Sequence, residues 1–459
     1  MASFGASCGV AQAAVIEATP ATYREQLSKL HPGDVLQLAP GTYDRNLPLE
    51  RLEGTASQPI VIRGAPDFTT VLRAQPCCNT VQLRNTHYVE VRDLTLDGGN
   101  LDGPFAVDSR EECSHIVLEN LRIVHYGASQ QDVAISTKGP AWDWVIRGNT
   151  IVGAGTGLYL GNSDGTQPFV AGVIESNLIL DTRGYNIQIK HQNSRPGGAG
   201  LPEGASRTVI RYNVLSKSHN AATGHDARPN LLVGHFPASG AGAQDLYEIY
   251  GNLVYENPTE ALFQGEGNID LHDNLFVNGG GAAILIRPQN ARPRNVAIVH
   301  NTVIAQGPGI RLWGGEPGYR QRIAHNAVFS PAPIEGPNPT GNLTGAYSAA
   351  GQWLSAPFAP LGTLDLHPKP GISSGLRPGI SRRLPAGARP GPAAKAQGDA
   401  AEPVFDFDGC PRVSNAPGAY DGPATPGAWL PALAVRPDPQ REVRHVCVLP
   451  DPAAATEPH

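Results

Sequence analysis

Short apolar segments rich in Val, Ile and Leu recur along the chain, and a polar residue breaks each at the same place. VEVRDLTL carries Asp93, IVLENLRIV Asn120, WVIRGNTIV Asn149, GVIESNLIL Asn177 and TVIRYNVLS Asn213. YEIYGNLVY carries Asn252, IDLHDNLFV Asn274, VAIVHNTVI Asn301 and RIAHNAVF Asn326. Successive members lie 22 to 39 residues apart. Alternation on either side of each break is the signature of a strand with one face buried. A unit of this length repeated many times points to a solenoid.

The recurrent Asn has a structural role. At a tight bend its amide can bond the equivalent residue one coil above and below, and Asn tolerates left-handed backbone. A stacked column satisfies backbone groups that the bend would leave unpaired. A third strand follows in each coil: AISTK (134–138), GLYLGN (157–162), NIQIKH (186–191), NLLVGH (230–235), ALFQGE (261–266), AILIRP (283–288) and GIRLWG (309–314). Three short parallel strands per turn predict an all-β, right-handed parallel β-helix over 15–330. An amphipathic helix over 21–30 would cap its first coil, since an open edge invites aggregation. From 331 to 459 the pattern gives way to Pro, Gly and Ala, most densely at 384–403. This tail is expected to wrap the coils, docking through GQWLSAP (351–357) and LGTLDLHP (361–368).

Composition narrows the function classes. Gly and Pro number 53 and 42 among 459 residues, which excludes a coiled coil or helical bundle. A net charge of −6 argues against a nucleic-acid partner. No apolar run approaches the ~18 residues of a membrane span. The six cysteines show no metal-binding spacing. Residues 1–14, ending near Ala11-Gln12-Ala13, read as the remnant of an export signal and contain Cys8. Cys410 and Cys447 would close a loop in the tail, and Cys113 could pair with Cys77 or Cys78. Secretion, or a periplasmic or cell-surface site, fits this usage.

Aligning the third strands places Ile187, Leu231, Leu262, Ile284 and Ile310 inward in one column, and Ile189, Val233, Ile286 and Leu312 in the next. Gln188, Leu232, Phe263, Leu285 and Arg311 then face outward. The strand ends hold Lys138, Lys190 with His191, His235, Glu266, Arg287 and Trp313. Two of the six lysines of the chain share this strip. The insertions 192–206, 218–229 and 236–244 border it, and loops on a rigid scaffold commonly carry function. Trp313, Phe263 and Tyr159 offer flat faces for sugar rings, and Lys138, Arg228 and Arg311 offer cations for an acidic substrate.

The run LHPGDVLQLAPGTYDRNLPLERLEGTASQPIVIRGA (30–65) resembles the opening of bacterial secreted β-helix proteins, among them polysaccharide lyases of the chondroitinase B and alginate lyase type. FDFDGCPR (405–412) with PGAYDGP (417–423) is similar to a closing phrase of such proteins. The resemblance implies a right-handed β-helix acting on a polysaccharide. Those lyases carry a Lys base on one coil, an Arg-His pair on a neighbouring coil and acidic calcium ligands. The Arg-His pair of this chain, Arg444-His445, lies in the tail, so the chemistry departs from theirs.

The expectation is an exported, monomeric enzyme that cleaves an acidic polysaccharide by β-elimination. Arg287 would hold the carboxylate through its planar fork. Lys190 or His191 would take the proton, and His235 would protonate the leaving oxygen. A glycoside hydrolase would instead pair Glu266 with Asp226 or Asp164. An epimerase or a non-catalytic polysaccharide-binding solenoid is a further alternative. A metal centre would draw on His191, His235 and Glu266; no metal ligands are assigned, and calcium is the divalent ion expected if one is bound.

Overall fold

The computed structural model describes residues 13–197, 200–371, 404–442 and 447. The export-signal stretch up to residue 12, the 384–403 segment and Arg444-His445 lie outside the described residues.

Every coil contributes to three parallel faces. The first, the groove face, stacks Leu47–Glu50, the starts of Val81–Arg92 and Val107–Glu119, Val133–Thr137, Thr156–Leu160, Ile187–Ile189, Leu231–Val233, Phe263–Gly265, Ile284–Ile286 and Ile310–Leu312. The second begins at Val15–Ala18 and runs to Gln321–Ala324. The third begins at Gly41–Tyr43 and ends at Leu343–Gly345, one turn beyond the expected limit of 330. Val81–Arg92 and Val107–Glu119 pass through the first two faces as continuous strands, which joins them into one sheet. The inward side chains of all three faces form one core that runs the length of the coils. The fold is a parallel β-helix.

The bend between the second and third faces uses two consecutive positions. The first is left-handed in nine successive coils: Asp93, Asn120, Gly148, Ser176, Tyr212, Gly251, Asp273, His300 and His325 have φ between 50° and 66°. The second holds the ladder, Asn149, Asn177, Asn213, Asn252, Asn274, Asn301 and Asn326. Each Nδ2 donates to the Oδ1 of the next member, at 2.9–3.0 Å, and Asn342 closes the series. Each Oδ1 also accepts a backbone N–H from the preceding coil, as Asn252 does from Asn213 at 2.9 Å. Asp93 and Asn120, expected in this ladder, stand one position earlier, and Leu94 and Leu121 fill the ladder position in their coils. His300 and His325 stack with centroids 5.1 Å apart beside the ladder.

Within the expected helical stretch the helix itself is Tyr23–Leu27, with Tyr23 and Leu27 buried. The tail covers the third face from residue 178 onward. There Leu253, Leu275, Ile304 and Phe329 point out of the coil and pack against Leu354, Leu364, Leu366, Phe407 and Tyr420. The closing phrase supplies the polar clamps. Arg412 pairs with Asp273, and Arg436, itself buried, donates to the Gly251 and Phe407 carbonyls. His367 bridges Asp365 at 2.7 Å and Asp408 at 2.9 Å. Cys410 is bonded to Cys447. Cys77 and Cys78 are bonded to each other, and Cys113 is a free thiol in the core, so neither pairing considered for Cys113 occurs. Among the described residues no helix is long and apolar enough to cross a membrane.

Candidate active site

Strand register decides which side chains meet on the groove face. Ile187, Leu231, Phe263, Ile284 and Ile310 pair in sequence and point inward. Phe263 is therefore fully buried and cannot stack on a sugar. The outward column beside it reads Asp108, Ser136, Tyr159, Gln188, Leu232, Gln264, Leu285 and Arg311. One residue past the strands, the next outward column reads Arg110, Lys138, Gly161, Lys190, Gly234, Glu266, Arg287 and Trp313 by continuation of the same register.

The chemistry concentrates on four consecutive coils. The Lys138 Nζ sits 3.5 Å from the centroid of the Tyr159 ring, and the Lys190 Nζ 5.7 Å from it. Burial brings Lys138 down from 10.5 to about 8; the Asp108 carboxylate opposes that shift, and Arg110 and Lys190 add to it. Burial also lowers Lys190. His191 and His235 occupy equivalent places on adjacent coils and stack with centroids 4.8 Å apart. Burial lowers the His191 pKa, and the neighbouring His235 and Lys190 lower it further. An imidazole of lowered proton affinity thus lies beside the Lys190 ammonium group.

Asp108, Arg110 and Asn79 were not singled out in the sequence. The fully buried Asp108 carboxylate accepts from Arg110 Nε at 2.6 Å and Asn79 Nδ2 at 2.9 Å, and burial raises its pKa. The signal was the strand VDSR at 107–110, one coil before AISTK, hidden because it continues into the second face without a break.

Other expected members lie elsewhere. Three coil steps separate Lys190 from Arg287, about 14 Å at the usual strand spacing. Arg287 is exposed and too far to hold a carboxylate against Lys190. Arg311 pairs with Glu335 at 3.3 Å and lies 5.2 Å from the Trp313 ring, a further step along the groove. Arg228 folds back onto the carbonyls of His225 and Ala227, both at 2.8 Å, at the opposite end of its strand from His235. Glu266 is buried, and its Oε1 accepts the backbone N–H groups of Gln289, Asn290 and Ala291. Among the described residues no group of three or more His, Cys, Asp or Glu side chains could hold a metal ion. His191, His235 and Glu266 do not form the centre considered for them.

The bordering loops are pinned by buried groups. Arg195 in the 192–206 loop donates to Asp245 at 2.5 Å and to Gln192 at 2.9 Å. Arg294 donates to the Phe236 and Pro237 carbonyls at 2.7 and 3.0 Å. On the other side of the face, the buried Lys217 donates to the Arg228 carbonyl at 2.7 Å, and burial lowers its pKa from 10.5 to about 7.

No known family's sequence profile matches the chain, and no curated protein does. Solved structures of similar fold include an alginate lyase from Paenibacillus sp. str. FPU-7, at 17 % identity and a TM-score of 0.45, over 72 % of this chain and 99 % of that one. A mannuronic acid specific family 6 polysaccharide lyase from human gut microbiota is 15 % identical, with a TM-score of 0.35, over 65 % of this chain and 82 % of that one. The A-module of the Azotobacter vinelandii mannuronan C-5 epimerase AlgE6 is 15 % identical, with a TM-score of 0.41, over 71 % and 94 %.

Proposed function

We propose that this chain is an exported, monomeric enzyme that cleaves an acidic polysaccharide by β-elimination on the groove face. The observation that carries the reading is the convergence of Lys138 and Lys190 on the Tyr159 ring, beside the stacked His191 and His235. Elimination from a uronate needs its carboxylate neutralised, its α-proton removed and its leaving oxygen protonated. Lys138 and Lys190 supply the first function from two sides of Tyr159, taking the part expected of Arg287. Neutral His191 accepts the proton as the ring C=C forms and the C–O bond to the leaving sugar breaks. His235 donates a proton to that oxygen. The Tyr159 ring, with the Lys138 Nζ over it at 3.5 Å, holds the ammonium groups in place and is not free to stack on a sugar as first expected.

Hydrolysis would need two free carboxylates across the bond. Glu266 is buried and already bound, Asp164 accepts from the Thr166 hydroxyl at 2.6 Å, and Asp226, in the turn Gly224–Asp226, lies at the opposite end of its groove strand from the Glu266 column. The test is a panel of acidic polysaccharides followed by ultraviolet absorbance. A rise from the conjugated uronate product supports the lyase. Reducing ends without absorbance mean a hydrolase, altered uronate configuration without cleavage an epimerase, and binding without turnover a non-catalytic solenoid.

A further inference from the structure

The coil before Lys138 carries Asp108 and Arg110 on the groove face, and the register sets Asp108 against Ser136, two residues before Lys138. The Lys138 backbone N–H donates to the Ser109 carbonyl at 2.8 Å, which locks the two coils where these side chains leave them. Asp108 is fully buried. Its Oδ2 accepts from Arg110 Nε at 2.6 Å and from Asn79 Nδ2 at 2.9 Å. The Asn79 Oδ1 in turn accepts the Phe105 backbone N–H at 2.9 Å, so the amide is held from both ends and the carboxylate cannot turn away. Its Oδ1 lies beside the Ser136 hydroxyl and forms no well-aligned hydrogen bond. Burying a charge is unfavourable, and an uncharged residue would fill the same space at lower free energy. A scaffold role needs no charge at this position; an electrostatic role does.

We infer that Asp108 is a positioning residue, whose fixed carboxylate keeps the Lys138 ammonium group charged at the place where a uronate is held. It touches no substrate and acts through Lys138. The inference rests on the role given to Lys138 in the lyase reading. The groups that face Lys138 act in opposite senses. Burial opposes its charge most, and Arg110 on the preceding coil and Lys190 two coils on oppose it further, whereas Asp108 favours it. The Tyr159 ring on the next coil lies 3.5 Å from the Nζ. Glu111, next to Arg110, is engaged by the Asn85 amide at 2.5 Å. Burial and two neighbouring cations thus favour the free amine, and the Asp108 carboxylate offsets them. A neutral amine at Lys138 could not neutralise a substrate carboxylate.

The test is competitive labelling of the full chain with trace acetic anhydride, between about pH 6 and 11. Acetylation of Lys138, read by mass spectrometry of its peptide, rises as the amine loses its proton. The wild-type midpoint should lie at about 8. Asp108→Asn should lower it by at least about one pH unit, and Asp108→Glu should restore most of the difference. Arg110→Gln, at an exposed position, removes a cation and releases the carboxylate toward Lys138, so the midpoint should rise; this variant keeps the question decidable if Asp108→Asn does not fold. On a cleaved polymer, Asp108→Asn should move the Lys138 share of the alkaline fall in kcat/KM to lower pH. Adding Lys138→Arg should recover that activity, because guanidinium stays protonated. A scaffold role would give neither the shift nor the rescue. A midpoint unmoved or raised in Asp108→Asn, or unmoved or lowered in Arg110→Gln, overturns the inference. Labelling needs no substrate, so the two readings fail separately. Unsaturated product with unmoved midpoints leaves the lyase reading standing, and shifted midpoints without cleavage of any acidic polymer overturn the lyase reading while the coupling of Asp108 to Lys138 stands.

Discussion

The ladder bend and the groove face are both columns repeated coil by coil, yet they are built on opposite rules. In the ladder, seven successive positions carry Asn, and every amide is satisfied by its neighbours. In the groove column the residue changes at each step, from Arg110 to Lys138, Gly161, Lys190, Gly234, Glu266 and Arg287. The ammonium groups there lie against an aromatic ring and have lowered proton affinity. Uniformity in a solenoid column is what stacking requires. Variation in an outward column leaves charge for something other than the protein itself to complete.

Four experiments probe that contrast. The largest effect is expected from Lys190→Ala, which should lower turnover by at least about a hundredfold, the scale of a lost catalytic group, with the melting temperature unchanged. Comparable loss of stability instead would make Lys190 part of the scaffold. Asn252→Leu should do the reverse. It removes donors to the Ile210 and Tyr250 carbonyls and to Asn274, and should cost about 1–3 kcal/mol in urea unfolding.

The third experiment reads pH. His191 must be neutral to accept a proton, and its pKa is lowered from 6.5, so kcat/KM should fall only in acid below that value. Lys138 must be charged to hold the carboxylate, so kcat/KM should also fall as pH rises through about 8. Lys138→Arg should remove the Lys138 contribution to the alkaline limb, because guanidinium stays protonated, and leave the part set by Lys190 and by the proton donor. The sign is opposite at the tail seam. Burial raises Asp406 from 3.8 to about 7, and carboxylates on both sides raise His367 above 6.5 despite its burial. In each case the docked form binds more protons than the undocked form, Asp406 between about pH 4 and 7 and His367 above 6.5. Docking should weaken as pH rises through that range, with proteolysis reaching 404–436 before the coils. The smallest effect is expected from Trp313→Ala, four coil steps from Lys190, which should alter KM on long polymers and leave short oligosaccharides untouched.

Much of this was legible in the sequence. The apolar alternation and recurrent Asn disclosed the coil, because both are local and repeat. Asp93 and Asn120 were misplaced by one residue because both bend positions favour Asn and Asp, one for left-handed backbone and one for stacking. Phe263 was turned outward because the corner before the groove strand varies in length, so ALFQGE can be aligned on Leu262 or on Phe263. Pairing Ile187 with Leu231 in the sequence already set His191 level with His235 and Gly234 beside Lys190. The tail contacts had a signal in LVY, LFV and TVI, where third-face strands stop alternating. Nothing local marked Asp108, whose role depends on a coil stacked beside it.

The groove is also a ruler whose divisions are whole coils. Lys138 and Lys190 are separated by the single coil that carries Gly161. Loss or duplication of one coil would preserve the ladder and the core, since each unit contacts mainly its neighbours. It would nevertheless change the distance between the two ammonium groups by one division, about 4.8 Å. A descendant of this chain could thereby be retuned to a polymer of different charge spacing by a change in the number of its coils, without replacing any of the residues that contact the sugar.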